Sequence, residues 1–232
     1  MAGRIVMITG AAGNLGGAVA RAFAKAGDTL VLVGRNQESL EQAFGKEGSR
    51  HMLMGADLLQ PAQVEAGVQR AVAKYGGIDV LCNLAGGFLM GQAVHVTSES
   101  NWQRMQDLNV RTLLNTARAV VPGMLARGRG KIVNVGANSA LRGAGQMGAY
   151  VAAKSEVMRL TETMAAELRE QGINVNCVLP SIIDTPENRA EMPKADHRKW
   201  VSPAHLANVI VFLASAEASA VHGACIPVVG LS

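Results

Sequence analysis

Tyr150 and Lys154 stand four residues apart at the start of a long helical stretch, and they are the pair in this sequence best suited to chemistry. On a helix that spacing puts both side chains on one face, so a phenol able to give or take a proton sits beside a fixed positive charge. A free tyrosine, with a pKa of roughly 10, is a poor acid-base group near neutrality. A neighbouring ammonium favours the phenolate and brings the group into range. An ordinary solvated Tyr-Lys pair has the same spacing, so the elements that position these two residues have to decide between the readings.

Those elements begin at the N-terminus. Arg4 to Thr9 reads as a short buried strand, and Gly10-Ala11-Ala12-Gly13-Asn14-Leu15-Gly16-Gly17 follows at once, running into an alanine-rich helix that ends near Gly27. A second strand is expected over Thr29 to Val33. Strand, glycines, helix and strand make a βαβ unit in which backbone without a Cβ can approach a pyrophosphate and a helix N-terminus can hold its charge. The expected ligand is a dinucleotide. Further strands are expected over His51 to Met54, Ile78 to Asn83, Lys131 to Val135, Ile173 to Leu179 and Ala224 to Val229. Helices alternate with them over Gln37 to Phe44, Ala62 to Tyr75, Glu99 to Ala126, Met147 to Gln171 and Pro203 to Ala214. The pattern predicts an α/β fold, a Rossmann-type doubly wound parallel sheet of about seven strands with helices on both faces. With no linker in view, residues 1–232 read as one domain. Ligands of such sheets bind beyond the carboxyl ends of the strands, where Gly10, Asp57, Asn83, Ala137 and Pro180 all fall.

The glycine turn, Asp57-Leu58, Asn83-Leu84-Ala85-Gly86, Asn109, the Tyr150/Lys154 pair and Pro180-Ser181-Ile182-Ile183-Asp184-Thr185 occur in an order and at intervals that resemble the short-chain dehydrogenase/reductase family over nearly the whole chain. The resemblance implies that Tyr150 donates or accepts the proton, that Lys154 binds the nicotinamide ribose and lowers the tyrosine pKa, and that Asn109 holds a water in a proton relay. It places Gly10, Gly13, Asn14, Leu15 and Gly16 at the cofactor, with Asp57 and Leu58 by the adenine, Asn83, Ala85 and Gly86 along the floor, and Pro180, Ile183 and Thr185 by the carboxamide end. It also implies a homodimer or homotetramer built on the long helices.

One departure matters for the reaction. The family commonly has a serine thirteen residues before the tyrosine to donate a hydrogen bond to the substrate oxygen, and here that position is Ala137. Asn138 and Ser139 are adjacent substitutes, or turn residues that satisfy their own backbone. Losing one such donor can cost about 100- to 1000-fold in turnover. The chain is therefore expected to act on an acceptor that needs little polarisation, or to bind the nucleotide with little turnover. The loops Gly136 to Leu141 and Asp184 to Trp200 resemble dihydropteridine reductase, a branch of the family that works without the serine on a quinonoid, conjugated acceptor.

The second strand ends in Gly34-Arg35, with no carboxylate for the adenosine ribose hydroxyls and a guanidinium shaped for a 2′-phosphate. NADP(H) is favoured over NAD(H), in contrast to the NADH preference of the dihydropteridine reductases. Phe88 and Trp200 are candidate substrate contacts, each equally explained as loop packing, and residues 184–202 are long enough to form a lid.

Composition narrows the partners. A net charge of +4 with only 3% aromatic residues lacks the basic, aromatic-interleaved stripe of nucleic-acid binders. Cys82, Cys177 and Cys225 are widely spaced in apolar runs and read as reduced core thiols, and the five histidines are isolated, so no metal site is expected. The first strand starts at Arg4, which leaves no room for a cleavable signal, and no apolar run is long enough to span a bilayer. The expectation is a cytoplasmic oxidoreductase that moves a hydride between nicotinamide C4 and a small carbonyl or a conjugated imine or quinonoid acceptor.

Overall fold

Strands that are apolar on both sides have to be covered on both sides, and the computed structural model of the protein, which describes residues 3–232, covers them with helices. β1 (Ile5–Thr9), β2 (Thr29–Gly34), β3 (His51–Gly55), β4 (Val80–Asn83), β5 (Gly130–Val135), β6 (Ile173–Pro180) and β7 (Cys225–Val228) form one sheet in the order β3-β2-β1-β4-β5-β6-β7. Every pairing is parallel. The chain winds outward from β1 to β3 and then crosses to β4 and winds the other way. That reversal opens a crevice beyond the carboxyl ends of β1 and β4.

The helices are α1 (Asn14–Lys25), α2 (Gln37–Phe44), α3 (Pro61–Tyr75), α4 (Glu99–Gln106), α5 (Thr112–Arg127), α6 (Gly148–Leu168), α7 (Pro186–Glu191) and α8 (Pro203–Leu213). The period-2 alternation of the strands sorts the core. Val6 and Ile8 of β1 and Leu30 and Leu32 of β2 pack with Val19 and Phe23 of α1, Leu40 of α2 and Ile210 of α8. Met7, Val31 and Val33 face the other way, toward Val64 and Val68 of α3, Val120 and Met124 of α5, and Leu168 of α6. A third cluster, with Ala153, Val157 and Met158 of α6 and Cys177 and Leu179 of β6, sits under the region of Ala137.

Two elements depart from expectation. The helix expected over Glu99 to Ala126 is interrupted at Asp107–Arg111 by a π turn, the rare i→i+5 geometry that recurs at functional sites. The Asn109 amide explains the break, since its Nδ2 donates to Met105 O at 3.0 Å and Gly87 O at 3.1 Å while its Oδ1 accepts from Gly87 N at 3.1 Å. Within the stretch expected to be a polar loop, α7 forms a short helix. Thr185 caps it by accepting from Asn188 N at 3.2 Å, and Pro186 takes the first helical position.

Candidate functional site

The glycines of the first turn are required by contact. Gly10 has φ +65, and a Cβ there would stand 3.1 Å from Ala85 N, while one on Gly16 would run into the Gly10 carbonyl oxygen. The turn is therefore drawn tight, and backbone forms the wall. α1 starts at Gly13 with no side-chain cap, and its first residues line the crevice, an arrangement suited to an anion.

The crevice has a volume of about 1430 Å³, more than a drug-sized ligand needs. Its floor and walls include Gly10, Gly13, Asn14, Leu15, Gly16, Ala85, Gly86, Pro180, Ile183 and Thr185, with Arg35, Asp57 and Leu58 toward β2 and β3. A dinucleotide fits this chemistry: close backbone for the pyrophosphate, an uncapped helix start for its charge, and an exposed cation at the end of β2.

Tyr150 and Lys154 both line the crevice, on the first turns of α6. Spacing alone suggested that the ammonium would pull the phenol down, and the geometry differs. Lys154 Nζ is turned to the carbonyl oxygen of Val135 and donates to it at 2.8 Å. Burial alone pushes Tyr150 up to about 12, with Phe88 edge-on to its ring at 4.9 Å, and burial pushes Lys154 down to about 8. In a low-dielectric wall both charged forms are disfavoured. Lys154 is ammonium and Tyr150 phenol near neutrality.

Beyond the tyrosine lie Ala137, Asn138 and Ser139, all lining the crevice, with Ala137 preceding a 3-10 turn over Asn138–Leu141 that has no side-chain cap. The family serine's position is thus apolar, and the two polar neighbours face the same space.

Three expected site residues are placed elsewhere. Asn83 is buried, its Nδ2 donating to Asn134 Oδ1 at 2.9 Å and its Oδ1 accepting from Thr116 Oγ1 at 2.7 Å, so its amide ties strands to α5 beneath the cofactor floor. A buried amide has to satisfy its own donors and acceptors first. Asn109 lies behind Gly86 and Gly87 with its side chain committed to loop backbone. Trp200 is only 8% exposed and stacks on His197 at 4.4 Å, which makes it packing for the 184–202 loop and not a substrate contact.

The structure also adds lining residues that the sequence did not single out. Asn36 and Ser39 join Arg35 at the β2 end, and Arg142, Met147, Asn188 and Met192 surround the Tyr150 end. Asn36 carried a readable signal, since it caps α2 through Glu38 N at 2.8 Å. Ser39 and Asn188 lie on α2 and α7, whose polar faces gave no sign of a ligand, and Arg142, Met147 and Met192 sit in irregular segments without periodicity to place them. Asn14 Nδ2 donates to Glu187 Oε2 at 2.8 Å, joining the glycine turn to α7 across the crevice.

Sheet order, glycine turn and tyrosine-lysine wall together define a dinucleotide-binding oxidoreductase. The short chain dehydrogenase family model matches residues 4–196, and the chain belongs to that family. It is 33% identical to a 3-oxoacyl-[acyl-carrier-protein] reductase of Thermotoga maritima over 98% of this chain and 97% of the relative. Among solved structures, a 3-ketoacyl-(acyl-carrier-protein) reductase of Brucella melitensis complexed with NADH superposes with a TM-score of 0.88 at 29% identity, covering 98% of this chain and 97% of the other. A gluconate 5-dehydrogenase of Burkholderia cenocepacia in complex with NADP and tartrate gives 0.90 at 30% identity, covering 99% and 95%. Among the described residues no helix is long and apolar enough to cross a membrane and no group of potential metal ligands is present.

Proposed function

We propose that the chain is an NADP(H)-dependent reductase of a small conjugated acceptor, such as a quinonoid or imine, with Tyr150 completing the proton transfer. The observation that carries this reading is the Tyr150 hydroxyl group's wall of the crevice, in which the neighbouring donor position is Ala137, 4% exposed and apolar. An isolated carbonyl needs its oxygen polarised in the transition state. A conjugated acceptor moves its charge to remote atoms and needs less. When bound, a reduced nicotinamide would supply the hydride. The chain's own residues hold the rest: Lys154 keeps a positive charge by the ribose position, Tyr150 presents its proton, and Phe88 and Leu108 exclude water. The side chains of Asn138 and Ser139 make no hydrogen bond among the described residues, line the same crevice and are groups able to replace the serine hydroxyl.

Arg35, exposed at the end of β2 beside Gly34, supports NADP(H) over NAD(H). The relatives bind either form, so the preference rests on this chain's own residues. Asn109 is a positioning residue in this reading, holding the Gly86-Gly87 backbone with one water of a proton relay beside its π turn. The whole chain would work as one domain, with 184–202 as lid, and assemble as a homodimer or homotetramer in the cytoplasm.

Reduction of a quinonoid dihydropterin is the specific form suggested by Ala137 and by the 184–202 loop. A screen of NADPH oxidation over ketones, acyl thioesters, quinones and quinonoid pterins tests both statements. Turnover of conjugated acceptors with little on simple ketones is the expected result. Strong ketone reduction by the natural chain, unchanged in Ala137→Ser, would overturn the acceptor class. Intact dinucleotide binding with no turnover of any acceptor would favour a binding protein instead.

A further inference from the structure

Cys177 and Cys225 are register partners on the adjacent parallel strands β6 and β7. Both belong to the cluster beneath Ala137, so their side chains share one face of the sheet. Neighbouring strands lie about 4.7–4.9 Å apart, inside the roughly 4.4–6.8 Å between Cα atoms that a disulfide spans. Cys177 is fully buried, whereas Cys225 is partly open to solvent at the end of the pair. The third cysteine, Cys82, is buried on the opposite face of the sheet.

The pair is wired to the reaction wall. Cys177 Sγ accepts from Gly136 N at 3.1 Å, and Gly136 directly follows Val135, whose carbonyl oxygen receives Lys154 Nζ at 2.8 Å. The sulfur shares that N–H with the Val178 carbonyl oxygen, which accepts from it at 3.0 Å, at the end of β5 from which the lysine is anchored and from which Ala137 enters the crevice. We propose that Cys177 and Cys225 are a hydroperoxide-sensitive dithiol, and that closing it to a disulfide draws the Cys177 sulfur off Gly136 and loosens the Lys154 anchor.

The two thiols have different environments. Cys177 beside it holds the Cys225 thiol below its ordinary value, while Cys225 and then burial hold Cys177 protonated. Cys225, the thiol of the pair that solvent reaches, is the nucleophile. Its thiolate attacks one oxygen of the hydroperoxide, the O–O bond breaks, and the departing hydroxide takes a proton to leave as water, giving a sulfenic acid on Cys225. Cys177 then loses its proton, its sulfur attacks the sulfenic sulfur, and the hydroxyl leaves as a second water. Two thiols and one hydrogen peroxide become one disulfide and two waters, with two electrons passing from sulfur to peroxide. The Cys225 side of the bond stays open to solvent, which suits reversal by a thiol.

The consequence for turnover rests on the proposed reductase reading, whereas the bond and its effect on the nucleotide site do not. The test is to expose the whole protein to hydrogen peroxide, map its peptides without reduction, and titrate NADPH by fluorescence before and after dithiothreitol. The expected result is a bond joining the Cys177 and Cys225 peptides, a reduced Cys82, and a fall of about tenfold in NADPH affinity, the size of one lost hydrogen bond, restored by dithiothreitol. Cys225→Ser should keep its affinity under peroxide. Absence of that bond overturns the proposal, and so does a bond that leaves affinity unchanged. If Cys225→Ser fails to fold, the dithiothreitol reversal in the natural chain decides alone. Failure of every acceptor to turn over would bear on the reductase reading and leave these readouts intact.

Discussion

The ring of Phe88 meets the ring of Tyr150 edge to face, with centroids 4.9 Å apart and planes at 83°. Phe88 is itself 51% exposed, so it forms an outer cover between the phenol and bulk water. Desolvation of the phenolate is what raises the Tyr150 pKa to about 12. Phe88→Ala should readmit water and bring that value down toward the ordinary one, with the tyrosinate signal followed by ultraviolet difference titration. Tyr150→Phe assigns the signal against Tyr75, the other tyrosine of the chain. An unmoved titration in Phe88→Ala would show that the cover lies elsewhere.

Lys154 makes stability depend on pH with a definite sign. Its folded value is about 8 against 10.5 for a free lysine, so between those values the unfolded chain binds more protons and stability rises with pH. At 6% exposure the full shift corresponds to about 3 kcal/mol as an upper figure. That contribution is present above pH 10.5 and lost as pH falls through about 8. Lys154→Met should flatten the rise, measured as the difference in urea midpoint between natural and variant chains across this window. Turnover in the natural chain should decline above about pH 8 as the ammonium is lost, although Tyr150 keeps its proton to about 12. A decline that follows only the higher value would remove Lys154 from the ionisation that limits turnover.

Sequence made the sheet and its site edge legible because the controlling forces are local. Alternation in Val6-Met7-Ile8 sorts residues to two faces, and the Gly10 turn needs a positive φ that few other residues adopt. Side-chain destinations were less legible. Whether Asn83 faces a ligand or the core depends on Asn134 and Thr116, which are distant in sequence and meet it only through the fold. Lys154 likewise turns to Val135, a partner no helical spacing points to. The π turn at Asn109 comes from a contact with Gly87, and Trp200 is decided by its stacking on His197. The α7 helix is a different case, since Thr185-Pro186-Glu187 is a readable helix start set in a stretch whose polarity suggested a loop.

Asn83 separates a structural role from a cofactor role. Asn83→Ala strands the Nδ2–Asn134 and Thr116–Oδ1 bonds in a buried network, at a cost of about 2–3 kcal/mol in stability. Dinucleotide affinity of the folded fraction should stay as it was. A large loss of affinity with unchanged stability would return Asn83 to the cofactor floor.

In the proposed reading the β2 end sets the choice between nucleotides. Arg35→Ala should weaken NADPH by about 10- to 100-fold, the range of a charge-assisted contact to phosphate, and leave NADH within a few-fold. Gly34→Asp should go further and favour NADH, because a carboxylate accepts from the ribose hydroxyls and repels the 2′-phosphate. A side chain fits there if Leu40, 3.2 Å from the added Cβ, shifts slightly. Equal NADPH and NADH affinities in the natural chain would sink both expectations.

Glu187 brings a negative charge to Asn14, beside the glycine turn that would face a pyrophosphate in the proposed reading. Its own backbone N–H, the Thr185 side chain and Asn14 all hold the carboxyl below its ordinary value, so it stays ionised through neutral pH. Asn14 opens α1, where the uncapped N–H groups await phosphate, and a carboxylate tied to that residue opposes a second anion beside it. Glu187→Gln preserves an acceptor for Asn14 and removes the charge. Dinucleotide should then bind a few-fold more tightly at low ionic strength, with the advantage shrinking as salt is added because the carboxylate is exposed and screened. The same substitution should leave the 184–202 loop in place, since Thr185 still caps α7 and Trp200 is still buried beneath it. Titration of NADPH fluorescence at two salt concentrations reads both effects. Weaker binding in Glu187→Gln would mean that the Asn14–Glu187 tie serves chiefly to hold α7 against the glycine turn, and that its charge is not what a bound dinucleotide senses.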